Sequence, residues 1–197
     1  LVRLSVLAVL AGLPIRAVPG ADDMSPEAIK KELKEALQTK TQGRINMLVK
    51  RLLKADDPKL VGFLVEAAVG LPSDANYQAA KKAIADFKNE VALDALGKKA
   101  KPENKDFRQR VLIIEAFGLR KDEKTRKTIY DCLDDPNVQA QVAAIQATVT
   151  RKEKEAIPEL IKLVETHTSV RDRGLLEARQ ALTDLTDEDF EAIEDWK

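Results

Sequence analysis

A helix, a short acidic, Pro-bearing or Ser/Thr turn, and a second helix rich in small and branched apolar residues recur along this sequence. The clearest copy runs from Thr125 to Leu133, through Asp134-Asp135-Pro136, and on from Asn137 to Thr150. Such a pair cannot bury its apolar face alone, so copies must stack on one another. The expected fold is all-α, a right-handed α-solenoid of about four helix–turn–helix repeats with an N-terminal capping helix. A stack of this kind offers a surface for holding something more readily than a pocket for chemistry.

The capping helix is expected within residues 21–42. Ser25 is a good N-cap, Pro26 suits the first helical position, and Ile29, Leu33, Ala36 and Leu37 form one stripe. The repeat array is expected over residues 43–186. Its first repeat pairs a helix on Ile45, Leu48 and Leu52 with one on Leu60, Leu64 and Ala68, turned by Asp56-Asp57-Pro58. The second opens with a long helix from Tyr77 to Lys99, carried by Ala80, Ile84, Phe87, Val91 and Ala95. Its second helix holds Phe107, Val111, Ile114 and Phe117 and ends at Gly118. The fourth pairs Ile157, Leu160 and Val164 with a helix from Val170 to Leu185. The two Asp-Asp-Pro turns lie 78 residues apart, which reads as two units of about 39. Phe107-Arg108, Val138-Gln139 and Val170-Arg171 follow at spacings of 31 and 32, each opening a second helix.

Residues 1–20 differ from the rest. Arg3 precedes an uncharged run from Leu4 to Ile15, and small residues follow, which reads as a secretory signal cleaved after Gly20. The run is too short to span a bilayer. The alternative is a buried N-terminal helix of the stack. With a signal the protein is exported, periplasmic or secreted; without one it is cytoplasmic. Leu1 is not Met, which reads either as truncation or as a non-standard start codon, and residues 187–197 form an acidic segment that ends within a patterned stretch, as a fragment would.

Asp-Asp-Pro-x-Val before a small-residue helix (Ala140, Ala143, Ala144, Ala147) resembles HEAT-type repeats. Ala156-Ile157-Pro158-Glu159-Leu160-Ile161 resembles them too, with its proline in the first helix. Ala181-Leu182-Thr183-Asp184-Leu185-Thr186 with Phe190 and Trp196 is similar to the end of exported bacterial HEAT-repeat proteins. The resemblance implies partner binding on a curved surface and a bacterial, exported protein whose chain continues beyond Lys197. The family often carries Arg one residue after the Val that opens the second helix. Arg108 and Arg171 fit that pattern; Gln139 and Val61 depart from it. The special residues of the bilin-lyase-like and alkylpurine-glycosylase branches have no counterpart here.

The charge balance excludes one class. Thirty-three basic residues face 33 acidic ones, without the excess a general nucleic-acid binder carries. Cys132 is alone and lies on an apolar stripe, so a buried inert thiol is expected. His167 is the sole histidine, too little for zinc. No glycine-rich phosphate loop is present, and the acidic run from Asp184 to Asp195 lacks the glycine of a calcium loop. The expected function is a non-catalytic, monomeric scaffold that holds a protein or peptide, with no metal, cofactor, nucleic acid or stable membrane insertion. The candidate binding residues are Arg108, Arg110, Gln139, Gln141, Arg171 and Arg173, early in the second helices. Stacking of repeats is the competing role for them. A lyase-like or chaperone-type factor acting on a small ligand is the alternative function, to be raised by burial of any two of Glu66, Glu115 and Glu177 side by side.

Overall fold

The computed structural model describes residues 24–39, 41–55, 58–70, 74–166 and 172–188. Among the described residues the secondary structure is helical, without a strand. The helices are α1 (Pro26–Gln38), α2 (Gln42–Ala55), α3 (Pro58–Val69), α4 (Asp74–Asp86), α5 (Glu90–Ala100), α6 (Phe107–Gly118), α7 (Glu123–Tyr130), α8 (Val138–Arg151), α9 (Ile157–Thr166) and α10 (Arg173–Thr186). A 3-10 turn, Lys154–Ala156, leads into α9. No helix among the described residues is long and apolar enough to cross a membrane. The proposed signal, residues 1–20, and most of the acidic C-terminal segment lie outside the described residues.

Short polar residues set the helix starts. Asn89, Asp106, Asp122, Asn137 and Asp172 each hold an extended backbone, and each accepts a bond from an N–H of the first turn. Each thereby satisfies donors that have no partner inside the helix. The expected apolar stripes are the core. Ile29, Leu33, Ile45, Leu48, Leu52 and Leu64 are all but sealed from solvent, as are Ile84, Leu96, Ile114 and Phe117.

The long helix expected from Tyr77 to Lys99 is two helices. Asn89 breaks it by accepting the N–H groups of Val91 (2.9 Å) and Ala92 (3.2 Å). Its side chain thus offers the backbone an alternative to continued helix. The carbonyls freed at the end of α4 are taken by Arg120, which donates to Ala85 (2.7 Å) and Phe87 (2.5 Å). Val91, expected on the core stripe, is 63% exposed.

That break changes which helices pair. Helices α1, α3, α5 and α7 pack in succession, and so do α2, α4, α6, α8 and α10. Each odd helix also packs on the even helix after it. Odd helices start at 26, 58, 90, 123 and 157, spaced by 32, 32, 33 and 34 residues. Even helices start at 42, 74, 107, 138 and 173, spaced by 32, 33, 31 and 35. The period is therefore near 33 and not near 39. The matched Asp-Asp-Pro turns are out of phase, since one leads into odd helix α3 and the other into even helix α8. Helix α1, expected to cap the array, pairs with α2 and also packs on α3.

Small residues bring the even helices close. Gly118 is buried at the end of α6, where a Cβ would stand 3.1 Å from the Cβ of Ala147 and 3.2 Å from its Cα. Backbones at that range leave room for hydrogen only.

Candidate functional site

The expected binding residues separate by helix geometry. Arg108 and Arg110 are two positions apart on α6, which puts them on nearly opposite faces. Arg108 is exposed and lies along Asp106, with Nε 3.2 Å from Oδ1. Arg110 is buried, with Nε and the second terminal nitrogen each 2.9 Å from an oxygen of Asp135, and it also donates to the carbonyl of Asn104. Asp135 accepts the N–H of Asn137 as well (2.8 Å). Arg110 therefore ties the start of α6 to the turn before α8, a stacking role.

Gln139 and Gln141 divide the same way on α8. Gln139 is exposed, while Gln141 is buried with its side chain in the space a Cβ on Gly174 would fill. Gln141 thus packs against the first turn of α10. Arg173 is exposed beside Glu177 at 3.9 Å. Helix α10 is N-capped by Asp172, whose carboxylate accepts the N–H of Gly174 at 2.8 Å. Counted from the caps, Arg173 corresponds to Phe107 and Val138, so the expected register of the fourth copy is off by three. Arg171 and His167 lie outside the described residues.

Arg108 and Gln139 meet in a depression of about 240 Å³ floored by Val69, Tyr77, Phe107 and Val111. It belongs to a longer track. Tyr77 also borders a second depression of about 320 Å³ with Lys81, Glu115, Leu119, Gln146 and Thr150. Gln146 and Thr150 in turn border a third of about 430 Å³ with Glu177, Gln180 and Asp184. The shared residues make one continuous trough across α4, α6, α8 and α10. Its side chains recur at helical spacing, as in Gln139, Ala143, Gln146 and Thr150 on α8. Apolar periodicity finds Phe107 and Val111 but passes over Gln139, Gln146 and Thr150, which lie on the polar side of α8. Reading that side as a surface in its own right would have found them.

The trough changes character along its length. At the Tyr77 end an apolar floor lies beside Arg108 and Gln139. At its middle Glu115 sits 3.3 Å from Lys81 Nζ and accepts the hydroxyl of Tyr77. Burial, with the adjacent Glu115 charge, pushes the Tyr77 phenol up, so it stays a neutral donor. At the far end are Glu177, which accepts from Gln146 (3.3 Å), and Asp184, which accepts from Gln180 (2.9 Å).

The groups that would raise the small-ligand alternative do not converge. Glu66 is exposed on α3, 3.8 Å from Lys99 Nζ, while Glu115 and Glu177 stand on α6 and α10 with the partners just given. No group of three or more metal-ligating side chains occurs among the described residues. Cys132 is fully buried and its Sγ donates to the carbonyl of Ala100 (3.5 Å). Burial first, then Asp135 and Asp131, pushes its thiol up to about 12, so it is inert at neutral pH. Compared with known proteins, the chain matches no protein-family model and no curated sequence.

Proposed function

We propose that this protein is a non-catalytic scaffold that holds a protein or peptide partner in the trough across α4, α6, α8 and α10. The carrying observation is the continuity of three depressions over four successive even helices. Such a surface suits an elongated occupant better than a compact one. The helix starts, spaced 31–35 residues apart, and the alternating packing of odd and even helices support an α-solenoid of HEAT-like repeats. Counted by packing, that reading has five pairs, α1–α2 through α9–α10. The apolar run in residues 1–20 supports export, with the trough working outside the cytoplasm.

The test is capture from an envelope extract of the source organism on the immobilised full chain, across a salt series. It is repeated with Gln146→Arg/Thr150→Arg, both exposed in the trough. A protein retained at high salt by the parent chain and lost by the variant, with thermal unfolding unchanged, supports the reading. Equal retention by both chains, or no specific retention by the parent, refutes it.

A further inference from the structure

Resting on the binding reading, the geometry points to a more specific occupant. We propose that the trough takes an extended peptide segment with an apolar side chain at one end and a Lys or Arg about seven residues away. Three features of the trough carry this. The first is the depression at the Tyr77 end, whose floor of Val69, Tyr77, Phe107 and Val111 fits an aliphatic or aromatic side chain. The second is the middle, where Lys81 pairs with Glu115, Asp74 adds one carboxylate that accepts from Gln78 (3.4 Å), and Gln146 and Thr150 present neutral donors and acceptors. An amide can both donate to and accept from a peptide backbone, whatever the peptide's sequence. The third is the far end, where Glu177 and Asp184 line the third depression. Glu177 accepts from Gln146 and Asp184 from Gln180, both neutral amides, and Arg173 stands 3.9 Å from Glu177. That end carries excess negative charge, which a cationic side chain complements.

Spacing follows from helix geometry. From Gln139 to Thr150 the trough advances eleven residues along α8, roughly 16 Å at 1.5 Å per residue. Crossing from α6 to α10 covers two interhelical steps of about 9 Å each. The diagonal is roughly 25 Å, or about seven to eight residues of extended chain at 3.3 Å each.

The test is selection of a random dodecapeptide library displayed on phage against the full 197-residue chain. The proposal expects enriched peptides that pair an apolar residue with Lys or Arg seven or eight positions away, in either order. Synthetic versions with Glu in place of the cation should bind about tenfold more weakly, the size of two surface ion pairs. Selection against Asp184→Lys, at an exposed position, should lose the basic preference. Asp184→Asn with Glu177→Gln gives a second route should the reversal disturb folding. Enrichment without a basic position, or a basic preference that persists in both variants, overturns this inference and leaves the binding reading standing. No enrichment above background overturns the inference and counts against the binding reading as well.

Discussion

Arg151 does, 31 residues further along, what Arg120 does at the preceding pair of helices. Arg120 donates to Ala85 and Phe87, the open carbonyls at the end of α4, while its Nε holds Asp122 at 2.6 Å. Arg151 donates to the carbonyls of Phe117 and Arg120 at the end of α6, while its Nε holds Glu153 at 2.6 Å. Lys121 closes the loop by donating to the carbonyl of Arg151 (2.5 Å). Arg120 thus caps α4 and Arg151 caps α6, one even helix back in each case, and each guanidinium is fixed by an acid two residues on. Replacing Arg151 by Ala strands several buried carbonyls, so urea unfolding should lose about 3 kcal/mol or more. Lys in its place should recover little, because it lacks the planar fork.

The pair Arg110–Asp135 predicts an asymmetry. Removing one partner, as in Asp135→Ala, leaves a buried guanidinium without its counter-charge and should cost about 3–5 kcal/mol. Arg110→Met/Asp135→Ala should be less destabilised than Asp135→Ala alone. Equilibrium urea denaturation of the two variants checks the order.

Gly118→Ala places a methyl group against Ala147 and should cost about 1–3 kcal/mol by overpacking. Ala147→Gly in the same chain should restore part of that loss. A double-mutant cycle read by thermal and urea unfolding measures the coupling.

Acid should weaken the turn between α6 and α7. Burial alone would raise the Asp122 carboxyl, but the N–H of Thr125 and the Arg120 guanidinium outweigh it, and the group titrates below its ordinary value. Its contribution is therefore present above the ordinary carboxylate pKa of about 4 and lost as pH falls through the lower folded value. Asp122→Ala should be about 1 kcal/mol less stable than the parent at pH 7, the typical loss of an N-cap. The gap should narrow as the pH is taken down towards 2, as measured by denaturant titrations at each pH.

Cys132 should resist thiol reagents in the native chain at pH 8 and react fully once the chain is unfolded. A disulfide-exchange colour assay with and without denaturant reads both rates. Fast native labelling would contradict the burial seen here.

Much of the fold is legible in the sequence because burial follows apolar spacing. Ile29, Leu33, Ile45, Leu48 and Leu52 lie where their stripes place them. The break at Asn89 is hidden because Ile84, Phe87 and Val91 keep helical spacing across it, and only the cap chemistry of one polar residue interrupts them. Phe87-Lys88-Asn89, Arg120-Lys121-Asp122 and Arg151-Lys152-Glu153 recur at 33 and 31 residues and mark the true period. A match on Asp-Asp-Pro follows a turn shared by two kinds of junction. Among the candidate residues, Arg108 and Gln139 reach the trough, whereas Arg110 and Gln141 turn inward two positions later. Gln146, Thr150 and Gln180 carry no compositional signal, because solvated polar positions look alike until their helices are packed.

The central claim is that the even-helix trough holds a partner. A photo-crosslinking amino acid at Gln146, within the trough, and one at Lys162 on α9, outside its lining, would be activated separately in the source envelope extract. The account predicts a discrete adduct from position 146 and none from position 162. An adduct from position 162 alone, or the same adducts from both, would contradict it.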